Sequence, residues 1–466
     1  MGPESFQNIA VSASKTTGIT VRYDGFSRFS PALEAARFVL ENGLRVVLMP
    51  DRRAPVFAYQ TWFRVGSRNE DPKSTGLAHL LEHLMFKGTG KHPLGELDQE
   101  MERRGSQTNA ATWVDWTFYT QALVARGDHL ATVIDFESDR ITGLILDEET
   151  FRSELEVVKN ERRLSVDDSV GGTINELLYS ALFQSHPYGW STIGAMEHLE
   201  SATLEELKAF YRMYYAPNNA TVVLVGDLDF QDALNRITRA YGTLPPQPLI
   251  DYVPEARPAQ GEPRLLKVNL PLAIPQLSGA YGAVAQSDER YPTAEILCEA
   301  LVNGESSRLY RRLVIEENLA LDVSGYITPF AEPGVVEFTL QPRAGVSPET
   351  LLDRLQHELQ RVGSDAPLSR QEVEKARHSL ELGHLMSLKD AEGCAEPLGH
   401  FDSNYNDVSQ ALELDRGWAT VDEAKCRRVA ADLFRESQRT AVIAENQTLE
   451  EGKTHERSSP SSHRRN

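Results

Sequence analysis

The sequence predicts an α+β protein of two domains of related design, each a mainly antiparallel sheet packed with helices. Three observations predict it. Strand-like and helix-like runs alternate through residues 36–246, stop at 247–265 where prolines and polar residues cluster without periodicity, and resume over 266–445. The second series resembles the first in order and lengths, with a late strand at 440–444 closing it as 221–227 closes the first. Finally, 466 residues are enough for two or three sizeable cores. Outside the domains, residues 1–35 form a weakly patterned N-terminal segment with one strand-like run at 19–23. The Ser/Arg-rich stretch 446–466 has the composition of a disordered tail.

The elements follow in order. Regular structure starts at Ala36. Residues 37–40 and 44–49 are β-rich around Glu41-Asn42-Gly43, a hairpin signal because Asn-Gly accepts the positive φ of a tight turn. A strand follows at 56–63. The apolar run Gly76-Leu77-Ala78-His79-Leu80-Leu81-Glu82-His83-Leu84-Met85-Phe86 then reads as a helix packed on the sheet. A helix over 94–104 ends at Gly105, which suits a C-cap. Residues 107–123, rich in aromatic and β-branched side chains, read as one or two strands. Helices follow at 129–139 and 148–164, the second charged but with an apolar stripe at Phe151, Leu155 and Val158. A helix at 204–215, a strand within 218–227 and a helix at 231–241 complete the first half. The second half carries strands at 276–284, 335–340 and 440–444 and helices at 291–303, 348–362 and 369–388.

Composition excludes some functions. A net charge of -20 argues against nucleic acid or an anionic membrane as the main partner. Cys298, Cys394 and Cys426 are odd in number and widely spaced, so free buried thiols in a reducing compartment are expected, with no disulfide framework. The start of the chain has no basic segment followed by an apolar core, and no apolar run approaches membrane-spanning length, so a cytoplasmic protein is expected.

The chemistry concentrates in His79-Leu80-Leu81-Glu82-His83. On a helix the two histidines lie four residues apart on one face, where both imidazoles reach one metal ion, and Glu82 projects beside them. Neutral imidazole nitrogen suits zinc, and a hydrolytic site needs a third protein ligand, an open water position and a carboxylate base. The order His-x-x-Glu-His is the inverse of the commoner His-Glu-x-x-His. Two hydrogen-bonded histidines on a buried helix would give the same five letters. A third ligand should come from another element, and Glu161 is the best placed, with Glu154 two turns before it on nearly the same face. One could bind metal while the other supports it. A helix of solvated glutamates would look similar, and Glu156 would then be no worse a candidate.

Several segments together resemble the pitrilysin/insulinase family of zinc peptidases (M16, the inverzincins), in particular its short two-domain branch. Around the pentapeptide stand Gly76-Leu77-Ala78 and Met85-Phe86-Lys87-Gly88-Thr89. Farther on come Asn109-Ala110-Ala111-Thr112-Trp113-Val114-Asp115-Trp116-Thr117-Phe118-Tyr119, then Glu154-Leu155-Glu156-Val157-Val158-Lys159-Asn160-Glu161. His186-Pro187-Tyr188, Ile193-Gly194 and Tyr215-Ala216-Pro217-Asn218-Asn219 follow in the family's order. The resemblance implies one Zn2+ per chain held by His79, His83 and Glu161, with Glu82 as general base for the zinc-bound water and Glu154 assisting. It implies that Asn109, Ala110, Ala111 and Thr112 belong to an edge strand that pairs with the backbone of an extended or unfolded peptide. It also implies that the two domains form half of a clamshell, whose chamber encloses the substrate.

The chain departs from the family pattern in its second half. After Gly304-Glu305-Ser306-Ser307-Arg308-Leu309-Tyr310-Arg311-Arg312-Leu313, the places of the family's Arg and Tyr are taken by Val314 and Leu321. Neither donates a hydrogen bond to a developing oxyanion. The expectation is a heterodimer in which a related subunit carries that Arg/Tyr pair, with a homodimer as the other pairing. The alternative is a non-catalytic structural or assembly subunit of the same family.

Overall fold

The computed structural model describes residues 2–30, 33–249 and 256–446. The tail expected after 446, apart from Asn446 itself, and residues 250–255 of the expected linker lie outside the described residues. Two sheets organise the chain. Strands β1 (Val21–Ser30), β2 (Leu33–Leu40), β3 (Arg45–Pro50), β4 (Val56–Phe63), β5 (Gln107–Thr112), β6 (Thr117–Val124) and β7 (Ala220–Gly226) form the first, in the order β1-β2-β3-β7-β4-β6-β5. Strands β8 (Arg264–Leu270), β9 (Gln276–Gly282), β10 (Ala320–Ile327), β11 (Val335–Pro342) and β12 (Arg439–Asn446) form the second, in the order β10-β11-β9-β12-β8.

The repeat read from the sequence is a repeat of topology. β5-β6-β4-β7-β3 corresponds strand for strand to β10-β11-β9-β12-β8. Each array is antiparallel except for one parallel pair, β3 with β7 and β8 with β12. Strands β5 and β10 are therefore equivalent, and both lie at a sheet edge. Each sheet carries its helices, giving two α+β domains.

Helices α1 (Pro3–Thr17), α2 (Leu77–Leu84), α3 (Glu96–Arg104), α4 (His129–Gly143), α5 (Glu148–Arg162) and α6 (Val170–Phe183) lie in the first half. The hairpin at Asn42-Gly43 forms as expected, pairing β2 with β3. The N-terminal segment is more regular than its pattern indicates. It holds α1 and a ten-residue β1, and α1 buries Phe6, Ile9, Ala10 and Ala13. Two of those four positions are alanines, so the stripe is present at helical spacing but weakly apolar.

The two halves exchange helices. From α6, Leu178, Leu182 and Phe183 are buried with Ala280 of β9 and Val442 of β12. In return the helix Ala391–Tyr405 buries Ala395, Leu398 and Phe401 with Val47, Trp62 and Val223 of the first sheet. Gly399 permits that contact, because a Cβ there would stand 2.1 Å from the Trp62 ring nitrogen. A buried polar cluster adds to the junction. Asp115, in the turn after β5, accepts hydrogen bonds from Arg68 (2.5 Å), Tyr188 (2.7 Å) and the Ala331 backbone (2.9 Å). These contacts hold the turn that follows β5 against the second domain.

The three cysteines are buried and unpaired, as expected. Among the described residues no helix is long and apolar enough to cross a membrane.

Candidate metal centre

Helix α2 is placed by its ends and its apolar face. Leu77, Leu80, Leu81 and Leu84 are buried in the first core, which turns His79 and His83 to the opposite side. The helix starts at Gly76, whose φ of +96 lies in the left-handed region that a side chain resists. Gly194 packs against it so closely that a Cβ there would lie 2.6 Å from the Gly76 Cα. Buried Glu70 closes the helix start, accepting from the backbone N–H of Gly76 (3.0 Å) and Ala78 (2.8 Å). Burial pushes the Glu70 carboxyl up to about 8.

Three of the expected residues meet. Nε2 of His79 is 3.7 Å from one Glu161 oxygen, and Nε2 of His83 is 3.4 Å from the other. One donor atom from each of the three lies within 4.8 Å of the others. Bonds of about 2.0–2.1 Å in a tetrahedral zinc site separate neighbouring donors by roughly 3.3 Å, so this set fits the ion with small adjustment. Burial pushes His79 down to about 4, which keeps its imidazole neutral, the form that ligates. Its Nδ1 is buried without a hydrogen-bond partner. The chemistry of the donor set, two imidazoles and one carboxylate, suits a hydrolytic zinc site with an open position.

The remaining carboxylates are sorted by their surroundings. Glu82 stands beside His83 in sequence, and its Oε2 accepts a 2.6 Å hydrogen bond from Thr112 Oγ1 at the end of β5. Burial raises Glu82 above the ordinary carboxylate range, while the Thr112 bond pulls the other way. Glu154 is nearly buried, with Oε2 3.6 Å from His83 Nδ1 and Oε1 2.8 Å from Lys87 Nζ. Glu156, the other glutamate considered, is exposed and paired with Lys159 at 2.6 Å. It faces away from the histidines.

Asn109, Ala110, Ala111 and Thr112 lie on β5, bonded to β6 on one side and with no strand on the other among the described residues. A cavity of about 360 Å³ adjoins the site, walled by His79, Thr112 and Glu161 from the first domain and by Tyr326 and Phe330 from the second. Val314 is buried in the helical turn Tyr310–Glu316, and Leu321 is exposed at a bulge in β10. Sequence reasoning missed three contacts. Lys87 lies in the segment Met85-Phe86-Lys87-Gly88-Thr89, four residues beyond His83, and that spacing is its available signal. Glu70 caps α2 from seven residues upstream of Leu77, across a turn that no spacing rule reads. The sequence places Thr112 in the substrate strand and carries no signal of its bond to Glu82.

Two family models match the chain: "Insulinase (Peptidase family M16)" over residues 45–196 and "Peptidase M16 inactive domain" over residues 201–380. The zinc protease PqqE of Helicobacter pylori is 27% identical over 413 residues, covering 87% of this chain and 91% of that protein. The crystal structure of a protease from Helicobacter pylori aligns with TM-score 0.81 and 26% identity over 89% of this chain and 100% of that one. The periplasmic protease PqqL from Escherichia coli aligns with TM-score 0.73 and 18% identity, covering 90% of this chain but 48% of that longer one.

Proposed function

The chain belongs to the M16 family of peptidases, and from that premise we propose that it is the zinc-binding subunit of a metalloendopeptidase that cleaves extended or unfolded peptides in an enclosed chamber. The convergence of His79, His83 and Glu161 beside a partly buried Glu82 is the observation that carries this reading. Those three residues would hold the zinc, and Glu154 would assist from behind His83. The ion would supply Lewis acidity, polarising the scissile carbonyl and making water acidic enough to be deprotonated near neutral pH.

The chain's own residues do the rest. Glu82 takes the proton of the attacking water and passes it to the leaving amine, a task helped by a carboxyl raised towards the working pH. Strand β5 offers its free edge to the substrate backbone, so recognition runs through main-chain hydrogen bonds and demands an extended peptide. Thr112 joins the two functions, since it ends the edge strand and holds the base.

Val314 and Leu321 offer no donor to a developing oxyanion, so a related subunit supplies the Arg/Tyr pair, and two such chains enclose the chamber. That PqqL is about twice the length of its aligned part supports a pairing of two units of this size. A structural or assembly subunit that keeps metal without turnover is the second reading, and the same Val314 and Leu321 favour it. Glu82 favours the first, because a scaffold has no use for a base beside the metal. The test is Glu82→Gln in the assembled protein: zinc stays at one per chain and hydrolysis falls by about 10²–10⁴-fold. Unchanged turnover removes the mechanism.

A further inference from the structure

Two carboxylates, Glu154 and Glu161, face the two imidazoles, and Lys87 brings a cation to them. We propose that Lys87 is a positioning residue for the metal centre: it holds one oxygen of Glu154 so that the other faces Nδ1 of His83, leaving that ring's Nε2 bare toward Glu161. The inference rests on His79, His83 and Glu161 being the metal set.

The geometry divides each group between two neighbours. Glu154 has Oε1 2.8 Å from Lys87 Nζ and Oε2 3.6 Å from His83 Nδ1. His83 in turn has Nδ1 toward Glu154 and Nε2 3.4 Å from Glu161. A carboxylate drawn in from 3.6 Å to hydrogen-bond distance of Nδ1 would hold the ring's proton there, which puts the lone pair on Nε2, the atom that must ligate. That outcome depends on where Glu154 sits. Its side chain is only 10% exposed, and a carboxylate so withdrawn from water is costly unless a counter-charge fixes it. Lys87 is that counter-charge. It lies three residues past the end of α2, in the turn that follows the helix, and from there its Nζ reaches Glu154 on α5.

The two histidines differ in this respect. His79 Nδ1 is buried with no hydrogen-bond partner, so no polar group holds that ring from behind. His83 has the Lys87–Glu154 pair behind it. The ion pair therefore acts on one ligand of the two, and among the described residues Lys87 makes no hydrogen bond or ion pair to the substrate strand or to Glu82.

The test is zinc affinity, measured on the full chain by competition with a chromophoric chelator, for wild type, Lys87→Met, Lys87→Gln, Lys87→Arg, Glu154→Gln and the Lys87→Met/Glu154→Gln double variant. We expect Lys87→Met and Lys87→Gln to weaken binding about tenfold, the lower end of the loss seen for such supporting residues. Lys87→Arg, which keeps the charge, restores most of it. The double variant is no weaker than the worse single one, because both changes break one linkage. The Lys87→Met/Glu154→Gln variant, which leaves no unpaired buried charge, keeps the melting temperature of the metal-free protein within a few degrees. Wild-type affinity in both neutral Lys87 variants, additive losses in the double variant, or an arginine variant as weak as the methionine one overturns the role of Lys87. Absence of stoichiometric zinc in the wild type overturns the metal site itself, and the role of Lys87 with it.

Discussion

Thr112 Oγ1 donates a 2.6 Å hydrogen bond to Glu82 Oε2, tying the last residue of edge strand β5 to the carboxylate beside the histidines of α2. A hydrogen bond to a charged acceptor is worth about 1.5–3 kcal/mol, and each 1.36 kcal/mol in a barrier is tenfold in rate. Thr112→Val is therefore expected to lower kcat about tenfold or more with KM and zinc content little changed, and Thr112→Ser to recover most of the loss. A raised KM at constant kcat would mean that Thr112 serves the substrate and not the base.

Glu161 and Glu156 lie on the same helix but in opposite surroundings, one facing both histidines and the other paired with Lys159 at the surface. Elemental analysis of the purified variants separates them. Glu161→Gln is expected to lose stoichiometric zinc and Glu156→Gln to keep it. Equal zinc in both would remove Glu161 from the ligand set.

Glu70 gives the fold a pH dependence with a definite sign. Its carboxyl is raised in the folded chain, to about 8 from an ordinary 4.5, by burial at the start of α2. The folded state then binds more protons than the unfolded one between those values, so this group's stabilisation is full below about 4.5 and is lost as pH rises through about 8. Denaturant unfolding of metal-free protein across that window should show stability falling with pH, and Glu70→Gln should flatten the slope. A Glu70→Gln chain with the same slope as wild type would contradict the assignment.

Leu398 is fully buried where the helix Ala391–Tyr405 lies on the first sheet. Leu398→Ala is expected to cost about 2–5 kcal/mol of unfolding free energy, read from the denaturant midpoint. Because that helix belongs to the second half of the chain, the loss should lower the stability of both domains together. A loss confined to one of two separate transitions would show that the exchange does not couple them.

Much of the site was legible because its logic is local or carried by motifs. The i, i+4 histidines, the Asn-Gly hairpin and the β-rich 107–123 run all depend on neighbours in sequence, and each formed where its pattern placed it. The exchanged helices were not legible. Val170–Phe183 begins with Gly171 and Gly172, and Ala391–Tyr405 contains Gly393, Pro397 and Gly399, residues that read as breaks. Packing overrides propensity there, and Gly399 is required by the closeness of Trp62. Strand β10 escaped notice for a related reason. At a sheet edge it alternates weakly, with Leu321, Asp322, Ser324 and Tyr326 all exposed. The support around the metal site, Glu70 on α2 and Lys87 on Glu154, depends on side chains meeting across elements.

Peptide hydrolysis by the zinc-loaded chain, alone and mixed with a related subunit that carries the Arg/Tyr pair, tests the central claim most directly. The account predicts one zinc per chain, little cleavage of an unfolded peptide by this chain alone, and strong cleavage by the mixture that vanishes with Glu82→Gln. Strong cleavage by a proven monomer of this chain, or none from the fully zinc-loaded pair, would contradict it.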